Sequence, residues 1–384
     1  MVAESLAQLG NWHLNRDRPA EAEQCLTEAL AIFERQEDRR GVARTVDLLG
    51  TVSDIAGDIA LMRQRYERAA ELFRALDERQ SLSSTLATLL IAGGAYVFET
   101  VALPPPMPAA EALSVGEEAL ALARETGWRA GEAYALGNFA LHFAAHGAYG
   151  RALESIGDAL AIAREIDHRE WMTASEWTQG MILAALLAPA RSHECFRRAF
   201  DLGQSSGSWH WRNLTAANLA ENHVALGELD PAAAILAEIA VDLPMDTLGQ
   251  RRVWTARAKL ALARGDAAGA LATVQALAAK RDIPLLTLLA TDCLIALNRP
   301  EEAAEPLRET LRAAEERELD PLRWRSHLAL SRISAALGDQ SQAAAHRRSA
   351  RSIVDQLAQT LPGGEIRDEV LANGSAPRRT RPPH

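Results

Sequence analysis

Two stretches of this chain match known chemistry by residue type and spacing: His142 and His146, four apart, and GQSSG at 203–207. Histidines at i and i+4 on one helix face can share a metal ion. No third ligand stands at a matching interval, so the pair reads as the polar face of a helix that ends near Gly147, and no metal is expected. The pentapeptide fits the G-x-S-x-G elbow of a serine nucleophile, which requires a strand before it and a helix after. Here the helical run ECFRRAFDL precedes it, so a loop is expected. GGAY at 93–96 is too short for a dinucleotide fingerprint and fits close helix packing, and neither a phosphate-binding glycine loop nor a paired-cysteine zinc pattern occurs. Cys25, Cys195 and Cys293 are an odd, widely spaced set inside apolar helical patterns, which predicts buried, reduced thiols. No catalytic residue, no cofactor and no enzyme activity are expected.

The elements that carry these residues follow from composition. Hydrophobic residues make up 48% of the 384 but aromatics only 5%, so the core must be built from Ala and Leu, which favour helix over strand. A net charge of -10 argues against a nucleic-acid surface. The one basic cluster, Arg378, Arg379 and Arg381, lies in a proline-containing tail read as disordered. The longest apolar runs, at 86–98 and 181–190, are too short to span a bilayer. Glu4 and Gln8 interrupt any signal-peptide pattern, which points to a cytoplasmic chain with no membrane partner.

The helices repeat. LGNW at 9–12 returns as LGNF at 136–139, and small residues recur at intervals of 19: Gly10 and Ala29, Gly50 and Ala69, Gly180 and Ala199. Gly137 and Ala159 show 22, which implies one extra turn in that unit's first helix. Gly10, Gly50, Gly137, Gly180, Ala220 and Ala258 are expected where two helix axes come closest. Turn signals at Asp17, Gly57, Gly147, Gly227, Gly265, Asn298 and Gly338, with further turns placed at PPPMP (104–108) and near Pro189, divide the chain into about nine units. Each unit has helical periodicity on both sides of its turn, so each is a helical hairpin, and stacked hairpins form an all-α solenoid. The expected organisation is one repeat domain over 1–360, a capping helix at 361–373 and a tail at 374–384. WHW at 209–211 opens a first helix, and its rings are expected to pack on the neighbouring unit.

Leu9, Gly10, His13, Asp17, Ala22, Leu26 and Ala29 match the pattern of the tetratricopeptide repeat family, which the chain resembles over residues 2–358. Three departures stand out. The period is near 40 rather than 34, Met62 and Ser192 replace the second-helix alanine, and Pro306 lies inside a second helix. Long irregular units of this kind are similar to the C-terminal arrays of LuxR-type regulators and signal-transduction ATPases of bacteria, and LPGGEIRDEVLANG at 361–374 looks like their last helix.

The resemblance implies a right-handed superhelix whose first helices line a concave groove. Carried over position by position, the middle of that groove presents Tyr134, Asn138, Leu141, His142, Trp177, Met181, Leu214, Glu221 and Val224. Asn11 and Asn138 stand where some relatives bind peptide backbone, but Ala7 and Tyr134 replace the lysine of a carboxylate clamp. The implied function is a non-catalytic scaffold for a protein or peptide segment. The alternative is an effector-binding sensory arm of a transcriptional regulator or signal-transduction ATPase, responding to a partner or a small effector.

Overall fold

The computed structural model describes residues 1–94, 107–281 and 283–373. Among them every regular element is helical. Nine antiparallel hairpins follow one another: α1 (Val2–Asn15) with α2 (Pro19–Arg35), α3 (Arg39–Ala56) with α4 (Ile59–Ala75), and α5 (Arg79–Leu89) with α6 (Ala109–Glu125). Next come α7 (Arg129–Ala145) with α8 (Tyr149–Glu165), α9 (Arg169–Ala185) with α10 (Pro189–Gln204), and α11 (Trp209–Leu226) with α12 (Leu229–Ala237). Then α13 (Leu248–Ala263) pairs with α14 (Ala267–Lys280), α15 (Pro284–Ala296) with α16 (Glu301–Glu315), and α17 (Asp320–Ala336) with α18 (Gln340–Gln359). A short α19 (Glu365–Asn373) closes the row against α18. The all-α solenoid expected from the repeat is therefore the fold. Pro104–Pro106 of the third turn, Ala95 and Tyr96 of GGAY, and the tail at 374–384 lie outside the described residues.

A beat of 20 residues sets the helix lengths. Left-handed backbone recurs at 17, 37, 57 and 77, at 127, 147, 167, 187, 207 and 227, and at 298, 318 and 338. Each such residue closes one helix and lets the next run back beside it. Sequence signals reveal mainly the alternate turns, because Glu37, Asp77, Asp167 and Glu318 adopt this conformation without being glycine. Each of those costs about 1–2 kcal/mol relative to right-handed backbone, which the packing of a whole hairpin offsets. Starts are fixed by side-chain caps: Asp38, Asp58, Ser208, Asp266 and Asp339 accept a first-turn N–H, and Thr247 forms a capping box with Gln250. Pro306 lies on the exposed side of a continuous α16.

In hairpins 1, 2 and 5 a close approach falls seven residues before the turn. A methyl group added at Gly10 would stand 2.6 Å from Leu26, at Gly50 2.7 Å from the Tyr66 ring, and at Gly180 2.7 Å from the Phe196 ring. Ala220 and Ala258 occupy the same position and are almost wholly buried. Five residues after the turn, Ala22, Met62, Ala152, Ser192 and Ala232 are all inaccessible to solvent, so Met and Ser replace Ala without changing the packing plan.

Gly137 requires a correction. Nothing lies within 4 Å of a methyl group placed there. The residue seven before Gly147 is Ala140, fully buried and 19 before Ala159, so the interval of 22 was a register error. Helix α7 has 17 residues, as α9 does, and carries no extra turn. LGNF is thus three residues out of phase with LGNW; the repeat is real, but those tetrapeptides are not equivalent parts of it.

The row also packs on itself at an offset of about five hairpins. The first turn meets hairpins 6 and 7: Asn213 donates to the Asp17 carboxylate at 3.1 Å and Gln250 to the Asp17 carbonyl at 2.9 Å. Arg251 donates to the Ala56 carbonyl at 2.7 Å beside the second turn. The fourth and fifth turns meet the end of the chain, where Thr360 reaches the Gly147 carbonyl, Arg325 that of Ala185, and Asn373 that of Leu187. One apolar cluster accordingly runs from hairpins 1–5 into Ile353, Val354 and Leu357 of α18 and Val370 of α19.

The register correction is testable. Gly137→Ala puts the best helix former into open space, and melting should rise by the equivalent of about 1 kcal/mol. Gly180→Ala drives a methyl into a buried ring and should lower the melting temperature despite the same gain in helix propensity. Parallel melts of the two variants decide the matter: a loss at position 137 as large as at 180 would restore Gly137 to the helix contact.

Candidate functional site

The residues with catalytic spacing first. GQSSG spans the end of α10 and the loop to α11; Ser205 and Ser206 donate back to the carbonyls of Leu202 and Gly203, and Gly207 has φ +75°. Helices flank it on both sides, so no nucleophile elbow exists. His142 is buried and His146 half-buried, their ring centroids 4.6 Å apart. Burial, with His146 and Arg151 adding to it, lowers the His142 imidazole to about 4. Among the described residues no group of three or more His, Cys, Asp or Glu side chains is arranged to hold a metal ion. Cys195 and Cys293 are buried, free, and pushed up to about 11 by burial, while Cys25 is half-buried. No described helix is long and apolar enough to cross a membrane.

Of the nine residues assigned to the groove, Asn138, Leu141, His142, Trp177, Met181, Leu214 and Glu221 are buried; Tyr134 and Val224 are half-buried. Four of the buried ones, Asn138, Trp177, Met181 and Glu221, join neighbouring first helices. Asn138 donates to the Ala87 carbonyl of α5 at 2.9 Å. The Trp177 indole donates to Asn218 at 3.0 Å, and the Asn218 amide lies 3.1 Å from the Met181 sulfur. Glu221 pairs with Arg252 at 2.9 Å and Lys259 at 2.5 Å across to α13. Burial raises the Glu221 carboxyl, against Lys259, and lowers the Arg252 guanidinium to about 9. Trp211 of WHW packs edge-on against Trp177 of the preceding hairpin, as expected, whereas Trp209 is 43% exposed.

Tyr134 leads to a cluster that the sequence reading did not single out. Its ring stacks on Trp171 at 4.6 Å, and Trp171 stacks in turn on His168 at 5.2 Å. The Tyr134 hydroxyl bonds Thr88 at 2.8 Å, and the Tyr66 hydroxyl bonds Thr51 at 3.0 Å. Asp47 of α3, whose charge acts on both tyrosines, is half-buried and accepts a hydrogen bond from Thr85 at 2.7 Å. Burial outweighs that bond and raises the Asp47 carboxyl from 3.8 to about 6. The charges of Asp47 and Asp54, added to burial, push both tyrosines up, Tyr134 to about 12. A signal existed for Asp47: it lies three residues before Gly50, as the groove residue Trp177 lies three before Gly180. The cluster joins two acids, Asp47 and Asp54, through Tyr134 to a stack of three rings.

Two cavities, of about 20 and 200 Å³, lie elsewhere. The smaller is lined by Arg251, Arg252 and Arg281 with Leu and Ile, the larger by Arg124, Arg129, Glu132 and Asp158 with apolar neighbours. Both are smaller than the roughly 300–1,000 Å³ usual for small-molecule sites.

Hairpins of this length, stacked with small residues at each crossing, define a tetratricopeptide-like helical-repeat protein. Among solved structures the chain is similar to a Rap protein complexed with competence and sporulation factor: TM-score 0.60, 12% identity, covering 93% of this chain and 99% of that one. It is also similar to the apo form of RapI, with TM-score 0.49, 13% identity and coverage of 94% and 99%. A signal transduction ATPase with a tetratricopeptide repeat sensor from Pyrococcus horikoshii gives TM-score 0.44 and 11% identity, covering 88% of this chain and 54% of that one. No protein-family model and no curated protein sequence matches. At 12% identity the likeness to the Rap protein establishes the fold.

The raised Asp47 carboxyl carries a pH signature. The folded chain holds that proton more tightly than the unfolded chain, so its charge is no burden below pH 4. Stability falls as pH rises from about 4 to about 6, and above that the ionised group costs up to about 3 kcal/mol. Asp47→Asn, which still accepts from Thr85, should melt higher than the wild type at pH 7.5 and at the same temperature at pH 3.5. Melts at those two pH values that show the same difference would exclude the carboxylate as the cause.

Proposed function

We propose that this chain is a non-catalytic scaffold that takes a peptide or protein segment along the inner face of its superhelix, with a cationic group of that segment over Asp47. One observation carries the reading: a half-buried, poorly solvated carboxylate whose charge is felt by Tyr134, the first ring of the Tyr134, Trp171 and His168 stack. An ammonium or guanidinium entering there gains a charge-assisted bond to Asp47 and cation–π contact with the rings. It also relieves the desolvation that the carboxylate suffers alone. The similar Rap protein was solved in complex with a factor, which supports a superhelix of this type as a receiver.

Of the nine groove residues, Tyr134 and Val224 offer accessible surface as the protein stands; the other seven would join a ligand path only when neighbouring hairpins part. Because turns five hairpins apart are bonded to one another, such parting would change the spacing of superhelical layers. That motion favours a second reading, the sensory arm of a regulator, in which a partner domain responds to the occupied state.

Selection from a random hexapeptide library tests the first reading. Sequences rich in Lys or Arg should be enriched, and their affinity by calorimetry should drop at least tenfold in Asp47→Asn and measurably in Tyr134→Ala. A library that yields no basic sequences, or binders indifferent to Asp47→Asn, would refute it.

A further inference from the structure

The superhelical layers meet at two junctions, and the two are built differently. The one at the fourth and fifth turns is apolar: Ile353, Val354 and Leu357 of α18 and Val370 of α19 belong to the buried cluster of hairpins 1–5, and a side chain at Gly147 would run into Leu357. The one at the first and second turns is made mainly of polar contacts. Asn213 and Gln250 bond Asp17, Arg251 bonds the Ala56 carbonyl, and Arg281 stands 3.7 Å from Asp58, with Leu248 beside Gly57. Water replaces such hydrogen bonds when the layers part, whereas parting the apolar junction bares hydrocarbon, so the polar junction is the less costly to open.

Two polar atoms are buried in that polar junction without a hydrogen-bond partner, Oδ1 of Asp17 and Nδ1 of His210. They lie 4.0 Å apart, beyond hydrogen-bond reach, on side chains only 2% and 16% exposed. Around the His210 ring, Trp211 stands edge-on with centroids 5.8 Å apart, and α13 presents Gly249, where a methyl group would be 3.4 Å from Nδ1. The charges that act on the ring are those of Asp17 from the first turn and Glu170 from α9; Arg251 of α13 acts on Asp17.

We propose that His210 is a pH-sensitive latch of the superhelix: its neutral ring lets the polar junction close, and proton uptake in mild acid opens the layers at Asp17 while the apolar junction stays shut. Burial lowers the imidazole from its ordinary 6.5, outweighing the two carboxylates, which act the other way. The closed junction therefore holds the proton less tightly than an open one, in which Nδ1 meets water. Above pH 6.5 the ring is neutral in both states and closure has its full strength. As the pH falls below 6.5 the ratio of closed to open chain drops, by up to about tenfold per pH unit, until the lowered value is passed. Asp47 has the opposite sign, since acid relieves its buried charge.

Small-angle X-ray scattering of the whole chain at pH 7.5 and pH 5.0, with circular dichroism alongside, tests this. No peptide is added, so the result does not depend on the ligand reading of Asp47. The wild type should have a larger radius of gyration and maximum dimension at pH 5.0, with its helix signal unchanged. His210→Gln and His210→Phe, neither of which takes up a proton, should stay compact at both pH values, while His13→Gln, four residues before Asp17, should open as the wild type does. Asp17→Asn keeps an acceptor for Asn213 but removes a charge that favours the imidazolium, and should open further at pH 5.0. A wild type with the same dimensions at both pH values, an acid-induced contraction, a loss of helix signal at pH 5.0, or His210 variants that open like the wild type would each overturn the proposal.

Discussion

The two helices of a hairpin approach so closely that the residue seven before the turn has no room for a long side chain, and this constraint fixes the rest. A ring or leucine from the second helix fills the space: Leu26 over Gly10, Tyr66 over Gly50, Phe196 over Gly180. The contact locks the phase of each first helix, and phase decides which side chains face the inner surface. A one-residue shift in an α-helix rotates a side chain by about 100°, so an error of three residues alters the inward set. Hairpin 4 shows the consequence. With Ala140 rather than Gly137 at the crossing, Leu141 keeps its inward position while Asn138 turns toward α5, where the Ala87 carbonyl receives it.

The turns carry a second load. Asp17 closes α1 with φ 60°, is almost wholly buried, and accepts bonds from two hairpins of the next layer. Gly147 closes α7 with φ +76°, and a side chain there would run into Leu357 of α18. Local chain reversal and long-range layering thus depend on the same atoms. Repeat arrays are usually sums of nearest-neighbour interfaces. Here the offset contacts add terms between hairpins far apart in sequence, which makes the two layers more cooperative than a simple row.

Much of this was legible in the residues. Ala and Leu periodicity gave the helices, and glycine or asparagine at alternate turns marked the hairpins, because left-handed backbone is least costly for those residues. The Glu37 and Asp77 turns were hidden for the converse reason: packing imposes their backbone, and side-chain type does not announce it. The burial of Trp177, Met181 and Leu214 was hidden too. It depends on how tightly the row winds, a property of many small rotations between hairpins that no single period contains. Asp47 is legible too, since it stands to the crossing point Gly50 as Trp177 stands to Gly180.

The two acids of the inner surface differ in a way that favours Asp47 over Glu221 as the place proposed for a ligand. Glu221 is the more deeply set, but Arg252 and Lys259 already supply the opposite charge, so its ionised form has partners within the fold. Asp47 has a hydroxyl from Thr85, and the nearby Tyr66 and Tyr134 bring no positive charge. A fold can satisfy a buried carboxylate internally, or leave it underpaired and bear the desolvation. Hairpins 6 and 7 take the first course, and there an arriving cation would have to displace a lysine or an arginine. Hairpins 2 to 4 take the second, and there the free energy withheld from stability remains available to whatever cation binds.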